Sequence, residues 1–162
     1  RMIARRALPL LALPAVALAQ PRPVTLVVPF APGGPTDLIA RRLAGLMAAR
    51  LEQAVVVQNR AGAGGNVGAE HVARSAPDGL TVLFGTSGPL AINPLLFRGL
   101  TWDPLRDFAP IGPLGRIPNV LAVHPSIPAR DVRELVALDR PLAFGSSGNG
   151  ASSHLAGLMF NR

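Results

Sequence analysis

The order of apolar and polar positions along the chain predicts alternating strands and helices. Short runs rich in β-branched residues, typical of buried strands, occur at 24–28, 55–57 and 81–84. After the first run, apolar residues recur at three- and four-residue spacing, which predicts a helix over 35–51 that packs through that face. A shorter helix is predicted near 67–73. The members of the apolar face of the long helix are Leu38, Ile39, Leu43, Leu46, Met47 and Leu51. This alternation indicates an α/β fold with mostly parallel strands.

The second half of the chain contains weaker patterns of the same kind. The stretch 98–118 is rich in proline and glycine and is typical of irregular structure. The remaining predicted elements are a helical turn at 93–97, strands at 109–114, 120–123 and 142–144, and helices at 129–138 and 152–160.

Three of the predicted strands end in a loop that is rich in glycine and hydroxyl side chains and opens a helix. These loops lie at 29–37, 85–88 and 145–154. The first N–H groups of a helix have no partner within the helix, and together with the helix dipole they attract an anion. Glycine lets a ligand approach the backbone, and Ser, Thr and Asn add neutral hydrogen bonds. The three loops therefore predict a cleft that binds a carboxylate.

The first 19 residues have the layout of a secretory signal peptide. Arg1, Arg5 and Arg6 precede an apolar run over 7–19, which ends in the small-x-small sequence Ala17-Leu18-Ala19. A membrane anchor is the weaker alternative, because about 13 apolar residues are too few to cross a bilayer. We therefore expect export to the periplasm.

Composition excludes several classes of function. Without residues 1–19 the formal net charge falls from +7 to +4, and the remaining arginines form no basic stripe, so nucleic-acid binding is not expected. The chain has no cysteine, which excludes disulfides and thiolate chemistry. Its three histidines are dispersed and lack the spacing of metal ligands. Neither a metal nor a cofactor is predicted.

Several ordered sequence blocks resemble one family of receptors. Pro29-Phe30-Ala31-Pro32-Gly33-Gly34 with Thr36-Asp37 is similar to the opening of the Bug-type, TctC-like substrate-binding proteins of tripartite tricarboxylate transporters. The other matching blocks lie at 55–68, 76–79, 85–88, 91–94, 107–110, 118–121 and 146–157. They cover nearly all of the chain after the predicted signal peptide.

The resemblance implies a two-lobed periplasmic-binding-protein fold that closes on a small mono-, di- or tricarboxylate for membrane transporter subunits. It implies that main-chain N–H groups, hydroxyls and waters hold the carboxylate, largely without Arg or Lys. Family members extend well past residue 162, so we expect lobe one over 20–122 and a truncated start of lobe two over 123–162. The expected ligand-binding residues are Gly33, Gly34, Thr36, Thr86, Ser87, Asn93, Ser147, Gly148, Asn149, Gly150 and Ser152.

Each loop also has a plainer interpretation. The first loop has the sequence of a tight turn that leads into a helix, and Asp37 is better explained as a helix-start charge or loop brace than as a ligand to an anion. The glycines at 62–68 miss the spacing of a dinucleotide-binding loop, which favours a structural turn. The loop around Ser147 misses the last glycine of a nucleophile elbow. A serine esterase is therefore the weaker alternative, and no enzymatic activity is expected.

Overall fold

The computed structural model describes residues 21–161, and three parallel strands form its sheet. These are β1 (Val24–Val28), β2 (Val55–Asn59) and β3 (Thr81–Leu83), in the order β2-β1-β3. Val24 pairs with Val55 on one side of β1, and Thr25 pairs with Thr81 on the other. The predicted α/β fold with parallel strands is confirmed.

Five α-helices accompany the sheet within the described residues. They are α1 (Pro35–Leu51), α2 (Asn66–Ala73), α3 (Asn93–Leu96), α4 (Val132–Val136) and α5 (Ser152–Phe160). α1 begins at a proline, whose missing N–H is not needed at the first helical position, and ends before Glu52 in the left-handed conformation. A short 3₁₀ turn (Ala63–Gly65) precedes α2, and a π-type turn (Gly88–Ile92) precedes α3.

The hydrophobic core lies between β1 and α1. Leu26 and Val28 pack there with Ala40, Ala44 and Phe84. The small alanines allow the helix to approach the sheet closely. Most of the predicted packed face of α1 does not make this contact. Leu43 packs against the core, but Leu38 and Leu46 are 61% and 60% exposed and line an outer groove of about 380 Å³.

The predicted strands at 109–114, 120–123 and 142–144 are wrong for the described structure, in which these segments are exposed and have no regular secondary structure. A strand forms only where its N–H and C=O groups meet a neighbouring backbone. None of these segments lies beside another strand within residues 21–161. The helix predicted at 129–138 spans only 132–136, and it begins after Asp131, which caps it by accepting a hydrogen bond from the Glu134 N–H.

The structure does not test every predicted segment. The predicted signal peptide at 1–19 lies outside the described residues. Across 21–161, no helix is both long and apolar enough to span a bilayer.

The contact between α2 and the end of β1 generates a test of packing. A Cβ on Gly68 would lie 2.8 Å from Pro29 Cα and 3.0 Å from the Arg60 carbonyl oxygen, both of which are backbone atoms. We expect Gly68→Ala to destabilise the protein by about 1–3 kcal/mol, as overpacking does. Gly45 also lies in a helix but has open space around it, so Gly45→Ala should stabilise by about 0.5–1 kcal/mol. Chemical denaturation of both variants measures the difference, and equal effects would contradict the packing argument.

Candidate functional site

The loops that follow the three strands meet at one edge of the sheet. Parallel strands end at the same edge, and in open α/β sheets ligands bind there. Pro29 follows β1, Gly65 follows β2, and Pro89 follows β3. A Cβ on Gly65 would lie 3.2 Å from Pro89 Cγ and 3.4 Å from Pro29 Cβ. The loop after β2 is therefore in contact with each of the other two loops.

Asp37 organises the loop between β1 and α1. Its carboxylate is 2% exposed and accepts hydrogen bonds from the Gly33 N–H, Arg41 Nε and Asn59 Nδ2, each at 2.9 Å. Asn59 Nδ2 also donates to the Phe30 carbonyl at 3.1 Å, which ties the loop to the end of β2. The Arg41 hydrogen bond first, and then those from Gly33 and Asn59, lower the pKa of Asp37 to about 2. Asp37 is thus an ionised brace of the loop.

This brace determines which donors of the first loop remain free. The Gly33 N–H is already bonded to Asp37, and Pro35 has no N–H. The N–H groups of Thr36 and Asp37 lie in the first turn of α1, where no carbonyl precedes them in the helix. A Cβ on Gly34 would meet only the Ala31 oxygen, at 3.9 Å. A ligand can therefore approach the start of α1 over Gly34.

The loop after β3 combines exposed and buried polar groups. Ser87 is exposed, whereas Thr86 Oγ1 is buried and has no hydrogen-bond partner among residues 21–161. Asn93 is fully buried. Its Nδ2 donates to the Gly64 carbonyl at 3.0 Å and to Asn66 Oδ1 at 2.7 Å. The Asn93 amide thus joins this loop to the loop after β2.

Sequence analysis missed the place of Asn66 in this cluster. The 62–68 loop does form a turn into α2, as expected, but it also supplies Gly64 and the buried Asn66 to the contact with Asn93. Asn66 Nδ2 and Asn93 Oδ1 are buried and have no hydrogen-bond partner in the described part of the chain. An asparagine at the start of a helix is a common feature, so the sequence carried no signal that would have singled out Asn66.

The third loop, 145–154, makes its own hydrogen bonds and also reaches the other loops. Ser153 Oγ accepts from the Ser147 N–H at 3.1 Å, and the Gly148 N–H donates to Ser146 Oγ at 3.3 Å. Ser152 Oγ donates to Asn119 Oδ1 at 3.3 Å. Gly150 is buried against Asn93, and the Asn149 carbonyl lies against Gly64.

The expected ligand-binding residues therefore fall into two environments. Thr86, Asn93, Asn149 and Gly150 lie in or beside the buried contact between loops. A Cβ added at Gly33 or Gly148 would meet no atom within 4 Å, so these two positions border open space.

The geometry around Ser147 does not favour a catalytic serine. Its hydroxyl accepts from Ser153 Oγ at 3.4 Å, and the ring of His154 stacks on Phe144 with centroids 6.4 Å apart. In the part of the chain that the structure describes, no hydrogen bond joins Ser147 to a histidine. Residues 21–161 contain no group of three His, Cys, Asp or Glu side chains that could hold a metal ion.

The fold and these loops define the class of protein before any comparison. A parallel α/β sheet whose carboxyl-end loops offer neutral donors and helix N-termini has the architecture in which small ligands bind at the ends of the strands. The TctC family, described as "Tripartite tricarboxylate transporter family receptor", matches residues 39–161. The chain belongs to this family, which confirms the resemblance found in the sequence.

Three similar proteins illustrate the relationship. Protein BugT of Bordetella pertussis is 40% identical over 144 residues, which are 86% of this chain and 44% of BugT. The Rhodopseudomonas palustris protein Rpa4515, solved with adipate, is 39% identical with a TM-score of 0.82 over 87% of this chain and 49% of its own. MatC of the same organism, solved with malate, is 45% identical with a TM-score of 0.52 over 54% of this chain and 30% of its own. The chain spans about half the length of the curated relatives it matches.

The braced carboxylate predicts a specific dependence of stability on pH. The pKa of Asp37 is about 2 in the folded protein, below the ordinary value of 3.8 for an aspartate side chain. The ionised form therefore stabilises the fold above about pH 4, and this contribution is lost as the pH falls towards 2. The melting temperature of the wild type should fall more steeply over this range than that of Asp37→Asn.

The exposed Asp139 provides the control, because Asp139→Asn also removes one carboxylate but leaves the brace intact. If the melting temperatures of the wild type and Asp37→Asn fell equally between neutral pH and pH 2, Asp37 would not stabilise the fold through its charge.

Proposed function

We propose that this protein is an extracytoplasmic receptor that binds a small carboxylate and presents it to a tripartite transporter in the membrane. The observation that carries the proposal is the meeting of the helix-opening loops 29–37, 85–88 and 145–154 at the carboxyl edge of the sheet, where Gly65 contacts Pro29 and Pro89 and the third loop contacts Gly64 and Gly88. None of these loops contains Arg or Lys. Their donors are main-chain N–H groups and hydroxyls, which bind an anion without a cation.

The first loop would hold the carboxylate through Gly34 and Thr36. The N–H groups at the start of α1 point along the positive end of its dipole, and Thr36 adds a hydroxyl. Each hydrogen bond to a charged group contributes about 1.5–3 kcal/mol. Arg41 forms an ion pair with Asp37 at 2.9 Å, so it neutralises the brace and is not a free cation for the ligand.

The other two loops would complete the site. Ser87 is exposed next to Thr86, whose Oγ1 is buried, and Ser147 and Gly148 lie at the exposed end of the third loop. Malate and adipate, the ligands named for the two solved relatives, are both dicarboxylates. A dicarboxylate would allow one carboxylate to bind at the start of α1 while the other contacts the second or third loop.

The organisation of the whole protein belongs to the same proposal. Residues 1–19 would direct export to the periplasm, 20–122 would form the first lobe, and 123–162 would begin the second lobe. A receptor role needs no catalytic residue. The serine esterase alternative would need Ser147 to be activated by a base, and its hydroxyl contacts Ser153 instead.

A ligand screen on the mature protein at its full natural length tests the function. At least one of citrate, malate, adipate, glutamate or an aromatic acid should raise the melting temperature, because a ligand that binds only the folded state stabilises it. Chromogenic esters should not be hydrolysed. Hydrolysis that disappears in Ser147→Ala, without any shift by a carboxylate, would support the esterase and overturn the receptor.

A second experiment tests how the carboxylate is held. The backbone of Gly34 has φ −78° and ψ 169°, which other residues adopt readily, and open space lies beside it. Gly34→Val should therefore fold normally while its side chain blocks access to the start of α1. Loss of even one charge-assisted hydrogen bond weakens binding roughly 10- to 100-fold.

The exposed Arg50 lies at the other end of α1, and Arg50→Ala should leave the affinity unchanged. Isothermal titration of both variants with the acid found in the screen provides the comparison. Wild-type affinity in Gly34→Val would contradict binding at the start of α1.

A further inference from the structure

The loop 146–150 is seated on the loops of the sheet through contacts that leave no room for added atoms. A Cβ on Gly64 would overlap the Asn149 carbonyl oxygen, and a Cβ on Gly150 would overlap Asn93 Oδ1. A Cβ on Gly88 would lie 3.2 Å from the Gly150 carbonyl oxygen. We call this contact the glycine seat; it consists of Gly64, Gly88, Asn93, Asn149 and Gly150.

Asn93 is the rigid part of the glycine seat. It is fully buried, and its Nδ2 donates both hydrogens, one to the Gly64 carbonyl and one to Asn66 Oδ1. Two bonds to separate partners fix the plane of the amide, which places Oδ1 against Gly150. The Asn93 donors are thus already used within the protein and are not free to hold a ligand.

We propose that Asn93, held by Asn66, is a positioning residue that fixes loop 146–150 relative to the sheet and thereby sets ligand affinity without touching the ligand. This inference rests on the proposed function. Ser147 and Gly148 belong to the seated loop, so a shift of that loop moves the Ser147 hydroxyl and the open space beside Gly148 relative to Thr36 and Ser87. The affinity for the ligand falls steeply when these groups are displaced from it, because hydrogen bonds weaken rapidly as their distance and angle depart from the optimum.

Gly64→Ala is the first test, since Gly64 is not among the expected ligand-binding residues. Its φ is +64°, and the atom that the new Cβ would overlap is main chain, so loop 146–150 must move to relieve the overlap. We expect the dissociation constant to rise roughly 5- to 150-fold, as for overpacking in a core. Gly79 is the matched control, because it has φ +76° with no atom within 4 Å. Gly79→Ala carries similar backbone strain but should bind normally.

A double-mutant cycle between Asn93 and Gly150 separates the seat from direct obstruction of the ligand. In Gly150→Ala the new Cβ overlaps Asn93 Oδ1 and lies 3.1 Å from Asn93 Cγ. Asn93→Ala removes both of those atoms. The double variant should bind more tightly than Gly150→Ala alone. If the new methyl group blocked the ligand itself, removing the Asn93 side chain would restore nothing.

The outcomes distinguish this inference from the function on which it rests. Two results would overturn the glycine seat and leave the proposed function standing. One is wild-type affinity in Gly64→Ala. The other is a loss of affinity in Gly150→Ala that is not recovered when Asn93→Ala is added. If the wild type binds none of the acids, the proposed function is overturned, and so is the inference that Asn93 sets ligand affinity. Melting curves of every variant show whether it is folded at the temperature of titration.

Discussion

The parallel pairing of β1 with a strand on each side is the constraint on which the rest of the structure depends. Because all three strands run in one direction, their carboxyl ends coincide, and the loops that leave them must share one edge of the sheet. Polar segments that are about 30 residues apart in sequence are thereby brought together. The amide of Asn93 spans this edge by joining the loops after β2 and β3.

The first loop at this edge balances the charge of its own acidic residue, Asp37. Asp37 lies in the first turn of α1, where a carboxylate is favoured by the dipole but would repel an anionic ligand. Arg41 and Asn59 bind this carboxylate, and the Gly33 N–H completes its coordination. The charge is balanced, and the loop is held in shape. The first loop can therefore offer its remaining N–H groups to an anion although an acidic side chain lies within it.

Periodicity in the sequence was sufficient for the elements whose partners are close along the chain. The bounds of α1 and α5 agree with the predicted helices, and the three strands of the sheet were all predicted. Periodicity did not show which stripe of α1 faces the sheet, because Ala40 and Ala44 are weakly apolar and lie beside the stronger leucine stripe. The segment 109–114 shows the other limit: a strand depends on a partner that its own sequence does not specify.

The candidate site was predictable in part for the same physical reason. Glycine and hydroxyl residues before a helix are a local signal, so the loops themselves could be found. The contact between Asn66 and Asn93, and that between Gly64 and Asn149, join residues that only the fold brings together. A site built from neutral donors has no strong charge to compensate for misplacement, since each hydrogen bond depends on distance and angle. In such a site, we expect the contacts between loops, such as that of Gly64 with Asn149, to affect binding as well as the donors themselves.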